Sequence, residues 1–366
     1  MQDNDHITVL TLDAGGTNFV FSAIRGGEEI VTPVSMPAYP DDLEKCLGAI
    51  VCGFRELIGR IGAVVDAISF AFPGPADYTN GVIGDLPNLP AFRGGVALGP
   101  YLEKEFGLPV YVNNDGNLFA YGEAYAGMLP HTNELLRKAG SCKVYGNLIG
   151  VTLGTGFGCG VVTGNQLLLG DNGCGGDAWL SANRFDGRLI AEEDVSIRAV
   201  LRNYRELSAE DINHTPKEIF EIAEGERPGN RSAAIESFGR LGQAAGYTIA
   251  EYLNVVDGIV VLGGGISNAH PYILPALLKE MRASRRTLTG SVVPRLQMQV
   301  YNLENEDELT EFLKDELEST TIPGSDTVVH YREKKKTGVW VSRLGTSRAV
   351  SLGAYHYAVN RLQGIN

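Results

Sequence analysis

The sequence has 366 residues, of which 44% are hydrophobic and 20% charged, so it is long enough for two globular domains and has the composition of a soluble protein. Its net charge of −13 argues against non-specific binding of nucleic acid, since like-charged phosphates repel. The N-terminus lacks the basic and apolar regions of a secretory signal, which predicts a cytoplasmic protein without a membrane span. The five cysteines form no CxxC pair, which fits the same prediction.

The first half of the chain alternates between predicted strands and helices. Runs of β-branched and aromatic residues indicate strands, and apolar residues at helical spacing after two aspartates indicate a helix over residues 41–62. The other elements follow from the same criteria. They are strands at 7–12, 18–24 and 29–36, a strand within 64–77 that Pro73-Gly74-Pro75 breaks, a helix and a strand within 96–115, and a helix from Gly116.

The second half opens in the same order as the first. A strand at 147–153 leads into a glycine turn, and a strand hairpin follows at 161–170. This order predicts a structural duplication, a similarity of pattern rather than of sequence. The later predicted elements are an amphipathic helix at 231–256, a strand ending in glycines at 258–267, an acidic solvated helix at 302–317 and a hairpin turn at Lys334-Lys335-Lys336.

Three glycine-rich turns follow apolar strands, at residues 13–17, 154–160 and 263–265. Glycine lets the backbone approach an anion closely and adopt positive φ, although each turn taken alone could simply be tight. Three such turns at strand ends favour phosphate binding. A Rossmann dinucleotide site would need a helix directly after the glycines, whereas the first two turns lead into strands. The pattern therefore predicts two hairpins that hold phosphates.

Two aspartates follow predicted strands, where phosphoryl transfer needs carboxylates. Asp13 could lie near Mg²⁺, which prefers oxygen ligands, or it could only cap the turn. Asp115 could accept the proton of a hydroxyl that attacks a phosphoryl group, or it could only be the N-cap of the following helix. The Thr17 and Thr155 hydroxyls could donate to phosphate oxygens, and Asn114 offers a donor and an acceptor to a polyol.

Six stretches occur in one characteristic order along the chain. They are Asp13-Ala14-Gly15-Gly16-Thr17, "FAFPGPAD", "LPNLPAFRG", "LPVYVNNDGNLFAYGE", "GVTLGTGFGCGVV" and "GIVVLGGGIS". In this order the sequence resembles the ROK family of sugar kinases and repressors, within the actin/hexokinase/Hsp70-like ATPase superfamily. The resemblance covers about residues 7–126, 147–197 and 232–280, and a closing "SLGAYHYA" is similar to the family's final helix.

The resemblance implies ATP and Mg²⁺ as cofactors, a sugar as the small-molecule substrate, and a homodimer. It also implies that Asp13 lies near magnesium and that Asp115 is the catalytic base. The remaining implied contacts fall into three groups. ATP phosphates would contact Gly15, Gly16, Thr17, Gly154, Thr155 and Gly156, adenosine would border Gly263, Gly264 and Gly265, and the hexose would contact Gly74, Asn88, Asn114 and Asp115.

The implied fold is α/β: a two-lobed actin-like ATPase (ribonuclease H-like) fold with duplicated βββαβαβα-type domains and an interdomain cleft. Residues 1–118, with a C-terminal helix at about 345–364, would form the lobe with the first phosphate turn and part of the sugar site. Residues 119–344 would form the lobe with the second phosphate turn and the adenosine turn. Segments near 129–146 and 286–343 exceed the family's usual core and could shape the pocket or an oligomer interface.

The sugar side departs from the family's pattern. ROK enzymes have a Gly-Glu-x-x-His segment whose Glu and His hold sugar hydroxyls, but here Asp177 replaces the Glu and Leu180 replaces the His. The family's zinc loop is also missing, since residues 183–190 contain no cysteine, and no zinc site is expected. Glu192 aligns with a further sugar-contacting Glu, unless it is only an exposed helix acid. Trp179 could face a sugar ring or belong to the core.

The sequence thus predicts ATP-dependent phosphorylation of a hexose or N-acetylhexosamine, at the 6-hydroxyl and with Asp115 as base. Two other classes remain open: a non-catalytic sugar-binding regulator, and a phosphotransferase or ATPase with a non-sugar acceptor. ROK repressors carry a helix-turn-helix ahead of the first phosphate turn. Because only 12 residues precede Asp13, DNA binding is not expected.

Overall fold

The structure is a computed structural model that describes residues 6–15, 17–84, 89–209 and 213–365. The chain divides into two compact units. Unit 1 comprises Met1–Gly127, Gly160–Gly176 and Leu344–Asn366, and unit 2 comprises Met128–Cys159 and Asp177–Arg343. No helix among the described residues combines the length and the apolar character that crossing a membrane requires.

The helices and strands are numbered in chain order. The α-helices are α1 (Leu43–Ile61), α2 (Leu98–Phe106), α3 (Asp115–Tyr125), α4 (Met128–Lys138), α5 (Ile197–Ser208), α6 (Pro216–Glu224), α7 (Arg231–Val256), α8 (His270–Met281), α9 (Glu306–Leu313) and α10 (Thr346–Leu362). The strands of unit 1 are β1 (Thr8–Ala14), β2 (Asn18–Arg25), β3 (Glu28–Glu29), β4 (Val34–Pro37), β5 (Ala67–Ala71), β6 (Ala76–Asp77), β7 (Val82–Ile83), β8 (Val96–Ala97) and β9 (Val110–Asn113). The later strands are β10 (Leu148–Leu153), β11 (Phe157–Thr163), β12 (Gln166–Leu167), β13 (Ile259–Gly263), β14 (Ser284–Arg286), β15 (Val292–Pro294), β16 (Gln299–Asn302), β17 (Glu318–Thr321), β18 (Val328–Tyr331) and β19 (Lys336–Val341).

Unit 1 is built on a sheet with the strand order β3-β2-β1-β5-β9, and β4 pairs with β2. The first two strands form an antiparallel hairpin, whereas β1, β5 and β9 run parallel. Asp13 lies opposite Ala71 and Ala71 opposite Asn113, so the carboxyl ends of the three parallel strands are aligned. This register places residues that are distant in sequence at one edge of the sheet.

The two faces of this sheet are covered by different helices, because successive side chains of a strand point to opposite faces. Leu10 belongs to a buried cluster that includes Phe54 of α1. The preceding Val9 belongs to a second buried cluster, which includes Tyr355 of α10. The core of unit 1 therefore has two layers, one on each side of the sheet.

Two glycines allow close contact between α3 and α10. A Cβ at Gly122 would lie 1.9 Å from the Ala349 carbonyl oxygen, and a Cβ at Gly353 would lie 1.9 Å from the Leu118 carbonyl oxygen. Any larger residue at either position would push the helices apart. The final helix of the chain therefore fixes the position of α3, whose first residue is Asp115.

The second large sheet contains the strands β11-β10-β13-β19-β16, and β12 pairs with β11. Its strand β13 is parallel to both β10 and β19. This repeats the order β2-β1-β5-β9 of unit 1 and confirms the predicted duplication. Two of its strands, β16 and β19, come from the segment 286–343, so only part of that segment lies outside the sheet.

Two expected elements differ in the structure. The strand predicted at 29–36 is divided into β3 and β4, because Pro33 lacks the N–H that a continuous strand would donate. The hairpin turn predicted at the three lysines is wrong as well, since Lys334 and Lys335 lie between β18 and β19, which do not pair with each other, and Lys336 is the first residue of β19. The turn lies between β17 and β18, where Pro323 precedes Gly324 with φ of +77°, a pairing typical of a tight turn.

Candidate active site

The two aspartates singled out in the sequence lie at the same edge of the unit 1 sheet. Asp13 is at the carboxyl end of β1, and Asp115 follows two residues after the end of β9. The negative charge of Asp13 contributes to a raised pKa of Asp115, after the larger effect of burial. Both side chains are exposed and therefore open to a ligand.

The N-cap of α3 is Asn114 rather than Asp115. The Asn114 Oδ1 accepts a hydrogen bond from the Gly116 N–H at 2.8 Å. Asp115 is the first helical residue, and its Oδ1 accepts the same N–H, also at 2.8 Å. The capping role considered for Asp115 from the sequence therefore falls to its neighbour.

The Asp115 carboxyl is accessible to solvent but closely surrounded by protein atoms. Desolvation by these surroundings is the largest influence on its pKa and raises it, and the charge of Asp13 raises it further. Hydrogen bonds from the backbone N–H groups of Gly116 and of Asp115 itself act in the opposite direction. The net result is a pKa above the ordinary range for aspartate, which suits a group that must accept a proton.

Two buried asparagines hold the connection between β9 and α3. The Asn113 Oδ1 accepts hydrogen bonds from the Asn114 N–H at 2.8 Å and from the Asn117 Nδ2 at 3.1 Å. These bonds fix the backbone directly before Asp115. The sequence analysis assigned no role to this pair. A signal was present, since Asn113 ends an apolar strand and Asn117 follows four residues later, one helical turn away.

The first glycine turn and the Pro-Gly-Pro loop also belong to unit 1. A Cβ at Gly15 would lie 2.7 Å from the carbonyl oxygen of the first residue of β2, so the turn requires glycine there. Thr17 and Gly74 are exposed. Gly16 and Asn88, predicted to contact phosphate and sugar, lie outside the described residues.

In unit 2, the second and third glycine turns follow neighbouring parallel strands. Thr152 of β10 lies opposite Gly263 of β13. Gly264 has a φ of +88°, and a Cβ there would lie 2.2 Å from the Leu153 carbonyl oxygen. The third turn therefore packs directly on the end of β10. This brings together the residues predicted to contact ATP in this unit, Gly154, Thr155, Gly156, Gly263, Gly264 and Gly265.

Glu192 lies against the second glycine turn. Its Oε2 accepts a hydrogen bond from the Phe157 N–H at 3.0 Å, and its Oε1 accepts one from the Arg198 Nη2 at 3.2 Å. A Cβ at Gly156 would lie 2.7 Å from the same Oε2, so the carboxylate and the turn are in close contact. Glu192 is only 22% exposed and is therefore more than a solvated helix acid.

The segment that departs from the family's pattern is on the surface of unit 2. A short 3₁₀ turn, Ala178–Leu180, follows Asp177, and the side chains of Asp177 and Leu180 are exposed. Trp179 is 38% exposed, which is inconsistent with an ordinary core tryptophan. Burial raises the pKa of the Cys159 thiol in β11 to about 12, and the negative charge of Asp177 contributes to this rise. Asp177 therefore lies near Cys159.

A buried amide organises the loop that lacks the family's cysteines. Asn183 donates hydrogen bonds through its Nδ2 to the Ile190 carbonyl oxygen at 3.2 Å and to the Asp194 Oδ2 at 2.6 Å. Its Oδ1 accepts the Phe185 N–H at 2.8 Å. These bonds close the loop on the segment that carries Glu192. Side-chain hydrogen bonds of Asn183 thus fix this loop. The spacing of the cysteines in the sequence could not predict this role.

Magnesium is compatible with the carboxylates present. No group of three or more His, Cys, Asp or Glu residues within the described ranges is arranged to hold a metal ion. Mg²⁺ bound to a nucleotide usually needs only one or two carboxylates, since phosphate oxygens and water complete its coordination. Asp13, exposed and beside Asp115, meets that requirement.

Comparison with known proteins places these features in a family. The model of the ROK family matches residues 9–296. A solved structure of a glucokinase from Parabacteroides distasonis is 54% identical, with a TM-score of 0.89 over 98% of this chain and 99% of that chain. A glucokinase of Thermotoga maritima is 27% identical, covering 72% of this chain and 83% of its own length. An N-acetyl-D-glucosamine kinase of Vibrio cholerae is 28% identical, covering 70% and 83%.

The duplicated sheets, with hairpin turns at the ends of their first strands, define the actin-like ATPase fold. Within that fold, the chain belongs to the ROK family. It is a sugar kinase, a phosphotransferase with an alcohol acceptor. The predicted family, fold class and enzyme class are therefore confirmed.

Proposed function

We propose that this sugar kinase transfers the γ-phosphoryl group of ATP to the 6-hydroxyl of a hexose or an N-acetylhexosamine, with Asp115 as the base. The observation that carries this proposal is the Asp115 carboxylate, exposed beside Asp13 and with a raised pKa. Similarity to glucokinases and to an N-acetyl-D-glucosamine kinase makes glucose and N-acetylglucosamine the first substrates to test.

Asp115 would orient the acceptor hydroxyl by accepting its hydrogen bond and would take its proton as the new P–O bond forms. Because phosphoryl transfer has a loose transition state, the proton leaves late and the position of the carboxylate matters more than its basicity. The Asn114 Oδ1 is engaged by the Gly116 N–H, but its amide group can donate to a neighbouring sugar hydroxyl.

The glycine turns would bind the nucleotide through backbone N–H groups. We assign the phosphates to the turns at Gly15–Thr17 and Gly154–Gly156, where glycines allow close approach and the Thr17 and Thr155 hydroxyls add donors. The turn at Gly263–Gly265 would border the adenosine. Mg²⁺ held near Asp13 would offset the negative charge of the phosphates.

Sugar recognition would depend on fewer polar side chains than the family's pattern provides. Glu192 is suited to a sugar contact because Arg198 and the Phe157 N–H already hold its carboxylate in place. Asp177 has a shorter reach than glutamate, and Leu180 offers no hydrogen bond. Trp179 has an exposed apolar surface that could stack on a sugar ring.

A coupled assay of ADP release over a panel of hexoses and N-acetylhexosamines tests the proposal. Sugar-dependent ADP release is expected with the native chain, and Asp115→Asn is expected to lower kcat by about 10²–10⁴-fold, the usual contribution of a general base. Asp41→Asn, an exposed aspartate of the same unit, is the matched control and should retain full activity.

Three results would contradict separate parts of the proposal. Equal turnover by Asp115→Asn and the native enzyme would exclude Asp115 as the base. Turnover of a 6-deoxy sugar, or a phosphate found at another carbon by NMR of the product, would exclude the 6-hydroxyl. No ADP release with any sugar would mean that the substrate or the phosphoryl donor is wrongly assigned.

A further inference from the structure

A cavity of about 250 Å³ in unit 2 lies between the two segments that exceed the family's usual core. Residues of 129–146 and of 286–343 form its wall, joined among the described residues only by Asp257. The volume is just below the range of about 300–1,000 Å³ that is usual for small-molecule pockets. The cavity therefore has room for a small metabolite, and none of its lining residues belongs to the candidate active site.

The wall of this cavity is basic, although the chain as a whole has a net charge of −13. More cationic side chains than carboxylates line it. The cations are Lys143, Lys314, Arg332, Lys334, Lys335 and Lys336, and the carboxylates are Asp257, Asp315 and Glu316. A concave site lined by one sign of charge attracts ligands of the opposite sign.

Three of these cations are already paired with carboxylates. The Arg332 guanidinium donates to both Asp315 oxygens at 2.6 and 2.7 Å, and the Ser141 hydroxyl donates to the same carboxylate at 2.8 Å. This network joins the two segments and fixes the wall between them. The complete set of pairs is Arg332–Asp315, Lys334–Glu316 and Lys314–Glu311.

The other three cations, Lys143, Lys335 and Lys336, form no ion pair with any described residue. The Lys336 Nζ donates to two backbone carbonyl oxygens, each at 2.8 Å, and the Lys335 Nζ donates to one at 2.7 Å. Because an ammonium group has three donors, both retain N–H groups for a ligand. Burial lowers the pKa of Lys336 despite the charges of Glu316 and Glu311, so an anion bound there would stabilise its charged form.

Part of the cavity wall is apolar. Leu136, Tyr145 and Phe312 line it and are otherwise buried, and the rings of Tyr145 and Phe312 stack with their centres 5.8 Å apart. The Lys143 Nζ lies 4.9 Å from the centre of the Tyr145 ring, so this lysine stands beside the apolar part. The combination of ammonium groups and an apolar surface fits an organic anion better than a bare ion.

We propose that this cavity binds a small phosphate ester, with its phosphate held by Lys143, Lys335 and Lys336 and its carbon skeleton against Tyr145 and Phe312. Against the three unpaired lysines stands one lining carboxylate without a described ion pair, Asp257. The excess of positive charge matches a phosphate ester, which carries about −1.5 to −2 charges at neutral pH, better than a singly charged carboxylate. The proposal concerns a second site and does not depend on the proposed sugar or base.

Calorimetric titration of the full chain with glycerol 3-phosphate, inorganic phosphate and glycerol tests the ligand class. Glycerol 3-phosphate should bind more tightly than inorganic phosphate, because only the ester can also cover the apolar part of the wall, and glycerol should not bind. Equal affinity for the ester and for inorganic phosphate would overturn the assignment to an ester.

Variants at two exposed lysines test the location. Lys143→Gln and Lys335→Gln should each raise the dissociation constant of glycerol 3-phosphate by about 3–10-fold, and the double variant K143Q/K335Q by about 10–100-fold, since each removes a charged donor. Lys335→Arg keeps the charge and should bind nearly as the native chain does. Lys217→Gln, at an 85% exposed position of α6 in the same unit, is the control and should change nothing.

Hydrogen exchange locates the bound ester without any variant. Amides of 141–145 and 332–336 should exchange more slowly when glycerol 3-phosphate is present, whereas those of 154–156 in the second glycine turn should not change. Protection of 154–156 alone would place the ester at the proposed nucleotide site and overturn the inference. Unchanged affinity in K143Q/K335Q, or no binding of the ester by the native chain, would do the same.

Discussion

Where β9 ends in unit 1, the chain presents the side chains of Asn114 and Asp115 beside Asp13, whereas the ends of β10 and β13 in unit 2 present mainly glycine backbone. The two sheets share a strand order, so the difference does not come from topology. It teaches that the duplicated sheet supplies positions at strand ends and that each unit uses them differently. Unit 1 offers carboxylate and amide groups, and unit 2 offers mainly glycine backbone, with the Glu192 carboxylate against its second turn.

This comparison predicts opposite sensitivities to mutation. Unit 2 should be damaged when a side chain is added at a glycine turn, because the close approach of two backbone segments is lost. Unit 1 should be damaged when a functional side chain is removed or displaced, because its chemistry depends on a few atoms. The following changes are chosen to separate these two kinds of damage.

The largest expected effect on stability is that of Gly264→Ala. Alanine at φ of +88° is strained, and its Cβ would lie 2.2 Å from the Leu153 carbonyl oxygen. Backbone strain and overpacking together should lower the free energy of unfolding by about 2–5 kcal/mol. Denaturant unfolding followed by circular dichroism measures this loss.

Gly265→Ala is the matched control for that change. It adds the same methyl group one residue later, where a Cβ would meet nothing within 4 Å. Its free energy of unfolding should therefore stay within about 1 kcal/mol of the native value, as for most exposed substitutions. Equal losses for the two variants would show that the contact with the end of β10 does not matter.

Gly160→Ala should mainly reduce activity, because this glycine supports the carboxylate of unit 1. A Cβ at Gly160 would lie 2.4 Å from the Gly116 carbonyl oxygen and 2.8 Å from the Asn117 Cα, both in the first turn of α3. Displacing that turn moves Asp115, and a shift of about 1 Å can cost on the order of 100-fold in rate. We expect kcat to fall by about 10–100-fold.

Gly48→Ala provides the control for activity in the same unit. This glycine lies within α1, where an added Cβ meets nothing within 4 Å, so alanine should keep kcat and slightly stabilise the helix. If Gly160→Ala retained full kcat with normal stability, the first turn of α3 would tolerate displacement and Asp115 would not require its observed position.

Much of this arrangement could be predicted from the sequence, because strand patterns and glycine turns are local signals. The positions of Asp13 and Asp115 after apolar strands were visible, but that they lie at one sheet edge follows from the parallel pairing of β1, β5 and β9. Asp13 pairs with Ala71 and Ala71 with Asn113, so two successive parallel pairings bring together residues that are distant in the chain, and no pattern within one strand identifies these partners.

Supporting residues were harder to predict than the candidate site residues. Gly160 is one glycine among 46 in the chain, and its importance depends on the helix that packs against it. Asn183 gave no signal beyond the absence of cysteines, since its role depends on buried hydrogen bonds to residues of its own loop. Such roles arise from packing, which composition and spacing do not determine.

The smallest expected effect is a gain in stability for Asp115→Asn without ligands. The folded protein raises the pKa of this carboxyl, so ionising it costs folding free energy at every pH above that value, whereas the unfolded chain ionises it normally. Asparagine removes the charge and keeps an oxygen that can accept the Gly116 N–H. The gain should be largest at pH values above the raised pKa and should vanish as the pH falls below the ordinary aspartate pKa, because the native carboxyl is then protonated in both states. Thermal unfolding of both proteins from about pH 7.5 down to about pH 3, below the ordinary aspartate pKa, measures this difference. A lower stability of Asp115→Asn at neutral pH would mean that the charge is favourable where it lies, and that unit 1 does not trade stability for a reactive carboxylate.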